Sequence, residues 1–281
     1  MTCHNRRATT ERCLQSLVAQ EGLGDVRVQV FLVDDGSTDG TGDMVRARFP
    51  EVTVLEGSGD LYWTGGMAMA EDAAWATRPD FLLWLNDDVV LLPGAVRELL
   101  DVSTETDGRA VVVGSLRATE AEEQTYGGFR VPDLKNPFQH YRVPPDGTLQ
   151  QVDTMHGNVV LVPRAVREVV GGLDTRFPHN MADTDYGHRT RRAGFDVTMC
   201  RGYVGMCDRD PTRQMWRQNE LPLRARWRLV TSKKVFPPRA RWAFVRRYCG
   251  WKAMPQFFSP YADALFPGRT LKLPLGRHRP H

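Results

Sequence analysis

Val28-Gln29-Val30-Phe31-Leu32-Val33-Asp34-Asp35-Gly36-Ser37-Thr38-Asp39-Gly40-Thr41 is a short apolar run that stops at adjacent carboxylates and enters a turn. The apolar residues read as a buried strand, and Asp, Ser, Thr and Gly are the residues that close turns. A second stretch repeats the arrangement: Phe81-Leu82-Leu83-Trp84-Leu85 leads into Asn86-Asp87-Asp88. Around them, strand and helix patterns alternate. Thr9 or Thr10 can cap a helix with Cys13, Leu14, Leu17 and Val18 on its apolar face. Helix is expected over 41–49, strand over 52–55, and a helix opening at Gly65-Gly66 and running to 76. Pro93 suits the first turn of a helix carrying Val96, Leu99 and Leu100, and 111–113 reads as strand. This alternation predicts an α/β fold, a doubly wound and mainly parallel central sheet.

In open α/β sheets, ligands bind beyond the carboxyl ends of the strands. The acids at 34, 35, 87 and 88 would repel one another there unless they met hydrogen-bond donors or a divalent cation. A nucleotide with a metal-bound diphosphate supplies both. Asp35, Ser37, Asp39 and Gly40 imitate the start of an EF-hand loop, but position twelve is Arg46 and the flanks are strand and helix, so that reading fails. Gly57 to Gly66 lacks the third Gly of a dinucleotide fingerprint and the Lys-Ser/Thr of a phosphate loop. It offers a glycine pair at a helix start, where N–H groups favour anions. Asn86-Asp87-Asp88 presents consecutive oxygen ligands suited to Mg²⁺ or Mn²⁺, for which one well-placed Asp88 suffices beside substrate phosphates. In Asp183-Thr184-Asp185-Tyr186-Gly187-His188-Arg189, Asp185 and Arg189 can pair along a helix. That leaves Asp183, near the helix start, for proton transfer or for capping.

The chain has 281 residues and a net charge of +3, unevenly spread. From Cys200 onward eighteen Lys/Arg face four acids, leaving an acidic body. The five cysteines form no CxxC pair, which fits buried thiols better than disulfides or a zinc site. No signal peptide or membrane-spanning run is visible, so a cytoplasmic location is expected, peripheral at the inner face of the plasma membrane. Residues 120–151 are polar, proline-rich and aperiodic and read as a surface excursion. Strand resumes at 159–162, followed by a helix over 163–170. Met1 to Arg6 reads as the end of a strand whose apolar body is missing, so the natural product is expected to begin several residues upstream.

In order, Thr2-Cys3-His4-Asn5-Arg6, Val33-Asp34-Asp35-Gly36-Ser37-Thr38-Asp39-Gly40-Thr41, Trp63-Thr64-Gly65-Gly66, Leu85-Asn86-Asp87-Asp88-Val89, Gly172-Leu173-Asp174-Thr175-Arg176-Phe177, and Asp183-Thr184-Asp185 with Arg189 and Arg192-Ala193-Gly194-Phe195 resemble family 2 glycosyltransferases of GT-A fold, in the rhamnosyltransferase-like branch. The resemblance covers about residues 2–207. It implies a catalytic domain over 1–207, with a nucleotide-sugar-binding half (1–115) and an acceptor and catalytic half (116–207), before a helical C-terminal extension over 208–281.

The implied reaction is an inverting, metal-dependent transfer of a sugar from a nucleotide diphosphate (dTDP-rhamnose or a UDP-sugar) to an acceptor hydroxyl in bacterial surface glycan synthesis. Asp183 matches the base. Thr2, Asn5, Arg6, Asp34, Asp35, Gly65, Gly66, Asn86 and Asp87 fall on the donor side, with Asp88 as the metal ligand. Trp63, His156, Gly157, His179 and Asp185 fall on the acceptor side. The sequence departs from the pattern at Asn86, where Asp is commoner, and at Ala182, where Glu is usual. Asp208 stands near the place of a further metal ligand often filled by His. Those departures leave a sugar-nucleotide-binding subunit as one alternative, and a sugar nucleotidyltransferase is another.

Over 213–252 twelve Lys/Arg and one acid are interleaved with Trp216, Trp227, Phe236, Trp242, Phe244, Tyr248 and Trp251. This suits an anionic membrane surface carrying a lipid-linked glycan acceptor. Packing on the acidic body is the plainer alternative, and no recognised nucleic-acid-binding module is present.

Overall fold

The structure, a computed structural model, describes residues 1–133, 135–209 and 221–266. The chain divides into two compact units: Met1–Asp133 with Pro137–Arg209, and Leu134–Asn136 with the chain from 210 on.

The first unit opens β1 (Thr2–Cys3), α1 (Arg7–Val18), β2 (Phe31–Asp34), α2 (Thr41–Arg48), β3 (Thr53–Glu56), α3 (Tyr62–Trp75) and β4 (Phe81–Leu85). It continues β5 (Val90–Leu91), α4 (Ala95–Glu105), β6 (Ala110–Arg117), β7 (Gln124–Tyr126), β8 (Gly128–Arg130), β9 (Tyr141–Arg142), β10 (Gln150–Gln151) and β11 (Thr154–Met155). It closes with β12 (Val159–Pro163), α5 (Arg164–Val170), α6 (Ala182–Arg192) and β13 (Asp196–Met206). β1, β2 and β3 pair in parallel. A larger sheet runs β10-β13-β6-β12-β4, with β13 and β6 parallel and β12 antiparallel to both β6 and β4. Strands β6 and β12 are buried along almost their whole length, as sheet centres covered on both faces must be. Leu14, Leu32, Leu85, Leu99 and Leu116 join one core across the three-stranded sheet, β4, β6 and their helices.

Several local expectations shift. Neither Thr9 nor Thr10 caps α1: Thr10 is buried inside it, and the Arg7 N–H is taken by the Asp39 carboxylate across the turn. α3 begins at Tyr62, so the glycine pair lies one turn in. α4 starts after Pro93, on Gly94 at φ +75°, a conformation that favours glycine. β2 starts at Phe31, three residues later than its apolar pattern. The 120–151 excursion carries four short strands, β7 to β10, too brief to leave a periodicity in sequence.

The second unit holds α7 (Leu223–Val230), α8 (Pro238–Tyr248) and α9 (Ala253–Leu265). Val230, Tyr261 and Ala264 form its core with Val235, Phe236 and Phe257 around them. Arg241 is buried, donates to the Gln256 carbonyl at 2.6 Å and lies over the Phe236 ring; burial lowers its guanidinium to about 10. The start of the basic stretch, Arg213 and Trp216 included, lies outside the described residues.

Candidate active site

The turn between β1 and α1 joins the two acid-bearing strand ends. His4 Nδ1 is 2.6 Å from the Asp35 carbonyl. Asn5, at φ +52°, receives the Thr38 N–H on its side-chain oxygen, and the Ser37 hydroxyl accepts its own N–H. Arg6 Nη1 donates to Asp87 Oδ1 at 3.2 Å and to Asp88 Oδ2 at 2.7 Å. One guanidinium thus neutralises the acids after β4, while backbone N–H groups meet those after β2.

At the β2 end, Asp34 Oδ1 accepts the Ser37 N–H, and the carboxylate packs against Gly42 of α2. Asp35 accepts three backbone N–H groups: Gly59 at 2.7 Å, Leu61 at 3.0 Å and Tyr62 at 3.1 Å. A carboxylate has about four acceptor positions, so a nucleobase would find at most one of them open. The first turn of α3 is also occupied. Tyr62 N–H points to Asp35, Thr64 N–H to the Pro178 carbonyl and Gly65 N–H to the Leu61 carbonyl. A Cβ at Gly66 would collide with Thr2. The anion cradle expected at Gly65-Gly66 is therefore corrected: the pair lets α3 pack closely on β1.

The β4 end differs. Asp87 is buried, and burial together with the neighbouring Asp88 charge pushes its carboxyl up to about 7 against the pull of Arg6. Asp88 keeps Oδ1 buried with no hydrogen-bond partner. That free oxygen beside a bound arginine fits a hard divalent cation resting on one carboxylate and on ligand phosphates. Asn86 spends one of the two lone pairs of its amide oxygen on the Trp63 indole N–H, which donates to it at 2.7 Å. Indole nitrogen only donates, so the amide orientation follows, and the Asn86 NH₂ is left to donate elsewhere. Asp208 spends Oδ1 on the Thr119 N–H at 2.9 Å. Among the described residues no three His, Cys, Asp or Glu side chains assemble a metal cage.

Trp63 ties this end to α6. A Cβ on Gly157 would stand 2.6 Å from the Trp63 ring, so the ring lies against that backbone. The Gly157 N–H in turn donates to Asp183 Oδ2 at 3.2 Å. Asp183 occupies the first turn of α6, where the helix dipole favours an ionised carboxylate. Met181, the residue capping this helix, holds φ +77°, a strained conformation for a side chain of that size.

Behind the site, Asp185 is fully buried, held by Arg189 at 2.7 Å, and Arg189 also grips the carbonyls of Val170 and Gly172. Its expected place on the acceptor side is thus corrected to the framework. His156 packs edge-on against Tyr126 and Phe129, and His179 follows Pro178, whose carbonyl anchors α3. Sequence reasoning missed the buried Glu71, which meets Arg167 and the Trp84 indole, while Trp84 stacks edge-on against Tyr186 of α6. The signal available was the acid pair Glu71-Asp72 in an otherwise apolar stretch, Met67 to Trp75.

The family model for glycosyl transferase family 2 matches residues 1–170. Over 210 residues the chain is 29% identical to an N-acetylglucosaminyl-diphospho-decaprenol L-rhamnosyltransferase of Mycobacterium tuberculosis, covering 65% of this chain and 67% of the relative. Among solved structures, the mannosyltransferase PcManGT of Pyrobaculum calidifontis, in complex with GDP-Man and Mn²⁺, superposes with TM-score 0.54 at 16% identity over 94% of this chain and 73% of its own. GalNAc-T7 with UDP, GalNAc and Mn²⁺ gives TM-score 0.55 at 12% identity over 73% of this chain and 42% of its own length, less than half of that protein. S. aureus TarS 1–349 gives 0.51 at 12%, over 92% and 69%. At these identities the likenesses establish the fold, which is the GT-A type.

Proposed function

Because the chain belongs to glycosyl transferase family 2, we propose that it transfers a sugar from a nucleotide diphosphate to an acceptor hydroxyl, with inversion, through the site built on Asn86, Asp88 and Asp183. The observation that carries this reading is the Trp63 ring, which contacts Asn86 on one side and the Gly157 backbone holding Asp183 on the other. A donor-binding group and a proton acceptor are thereby kept at fixed separation, as a displacement reaction requires.

Asp183 takes the acceptor proton as the oxygen attacks the anomeric carbon from the face opposite the diphosphate, and the bond to the diphosphate oxygen breaks. Arg6, nearly half exposed and bound to Asp87 and Asp88 through Nη1, has its other guanidinium nitrogens to offer the departing phosphates, and the Asn86 NH₂ would donate to oxygens of the donor. A divalent cation on Asp88, Mg²⁺ or Mn²⁺, would neutralise charge on the leaving diphosphate. The mycobacterial relative's name points to a rhamnosyl donor and a lipid-linked acceptor. We extend both to this chain, with dTDP-rhamnose or a UDP-sugar as donor and surface glycan assembly as the setting.

No helix among the described residues is long and apolar enough to cross a membrane. In the second unit, Trp251, Met254, Phe258 and Leu265 are exposed at helical spacing, with Lys252 over the Trp251 ring. This stripe and its cations suit peripheral contact with an anionic bilayer carrying the acceptor. Flotation should recover more protein with vesicles containing phosphatidylglycerol than with phosphatidylcholine alone; equal recovery would remove the electrostatic basis of that contact.

The central test is Asp183→Asn. Turnover should fall by about 10²- to 10⁴-fold with nucleotide affinity within about twofold of the parent. Undiminished turnover would refute the assignment of Asp183 as base.

A further inference from the structure

The second unit holds a charge that its own chain leaves unanswered. Over 221–266 ten Lys/Arg accompany a single acid, Asp263. Arg224 and Arg228 of α7 are exposed, but Arg226 between them is only 8% exposed. Its Nε and Nη1 are buried without a hydrogen-bond acceptor, and among the described residues no carboxylate pairs with it. The other buried guanidinium of this unit, Arg241, is better served: it donates to the Gln256 carbonyl and lies over the Phe236 ring. An unpaired buried charge is strongly unfavourable, so Arg226 calls for an anion from outside the chain.

The start of α7 has the same need. The helix follows Pro222 with no side-chain cap and no acid in its first turn. The Pro222 carbonyl takes the N–H groups of Ala225 and Arg226, at 2.9 and 3.1 Å. Those of Leu223 and Arg224 meet no acceptor among the described residues. Side chains on a helix lean toward its N-terminus, so that of Arg226 lies back over this open turn. Val230, one turn further along the same face, is packed into the core with Tyr261 and Ala264, which holds that face to the covered side of the helix. Two backbone N–H groups, the positive end of the helix dipole and a buried guanidinium thus gather where no acceptor is supplied.

We infer that the start of α7 is a phosphoryl-binding site, with Arg226 as its buried anchor and the Leu223 and Arg224 N–H groups as its backbone donors. Several donors and net positive charge suit an oxyanion with several acceptor oxygens, and a guanidinium matches phosphate well. Leu223 and Trp227, each nearly half exposed, give the site an apolar border that can also take a phosphate carried on a hydrocarbon. The ligand is the phosphoryl group itself, free in solution or on a lipid. The site depends neither on the apolar stripe of α9 nor on glycosyl transfer, since soluble phosphate would fill it with no bilayer and no donor present.

Hydrogen exchange over 221–230 of the full chain tests this, in metal-free buffer of constant ionic strength. The additions are inorganic diphosphate, vesicles containing phosphatidic acid, or vesicles of phosphatidylcholine alone. With a phosphoryl source at about ten times its dissociation constant, exchange in α7 should slow about tenfold, and phosphatidylcholine should not slow it. Slowing by diphosphate assigns the site to soluble phosphate, slowing by phosphatidic acid to lipid-borne phosphate, and slowing by both to the group in either form. Arg226→Met should abolish the protection. Because the charge it removes is unpaired, this variant should unfold at or above the parent's temperature in phosphate-free buffer. Arg226→Lys, which keeps the charge and loses the planar fork, should protect less than the parent. Protection that persists in Arg226→Met, exchange that neither phosphoryl source slows, or an Arg226→Met protein that unfolds well below the parent would overturn the inference.

Discussion

Asp35 and Asp88 each follow an apolar strand and each stand second in an acid pair, yet their surroundings have little in common. Asp35 is nearly buried and spends its carboxylate on three N–H groups of the 59–62 loop. Asp88 is partly open, shares Arg6 with Asp87 and keeps one oxygen without a hydrogen bond. The first carboxylate is a structural clasp that shapes the loop into α3. The second remains available to something the protein does not itself contain. Similar local sequences thus divide scaffold from chemistry, according to how many donors the rest of the chain brings to each.

Removing the clasp should have the largest effect. Asp35→Ala leaves three part-buried N–H groups without their acceptor, and with water able to reach them in part the variant should lose about 1–3 kcal/mol. Denaturant unfolding measures this; a stability within about 0.5 kcal/mol of the parent would erase the distinction between the two acids. Asp88→Ala should do the opposite, leaving the unfolding midpoint nearly unchanged while nucleotide-diphosphate affinity in Mn²⁺ drops by about tenfold or more. Calorimetric titration with and without the metal reads it, and unaltered metal dependence would count against Asp88. The smallest effect is expected from Trp63→Phe. Losing one hydrogen bond of about 1 kcal/mol frees the Asn86 amide to turn, so the donor KM should rise by about five- to tenfold in an intact fold. Donor kinetics equal to the parent's would mean that the ring only fills space.

Other contrasts follow the same rule. Asp183 and Asp185 lie two apart on α6, but only Asp183 reaches the Gly157 N–H, while Asp185 is enclosed with Arg189. Their spacing made the Asp185–Arg189 pair legible in the sequence, since residues four apart meet on any helix. Nothing local indicated that burial would remove Asp185 from the acceptor surface. Gly65 and Gly66 resembled an anion cradle because a glycine pair beside a helix start usually leaves N–H groups open. Here Leu61 and the approach of Thr2 account for both glycines. The late start of β2 has a related origin: Val28-Gln29-Val30 have the composition of a strand, yet they border a cavity of about 900 Å³ that β4 also lines.

The sequence by itself determined the alternation of strands and helices, the placing of paired acids at two strand ends, and a late segment rich in cations and aromatics. These are properties of neighbours along the chain, carried by apolar runs, turn residues and charge counts. Only the tertiary structure decided which acids are saturated and which stay open, that Arg6 is the counter-ion of Asp87 and Asp88, and that Trp63 ties Asn86 to the backbone holding Asp183. Those contacts join residues from twenty-three to eighty-two positions apart. No local propensity encodes such pairings, because packing the helices onto the sheets is what brings the partners together.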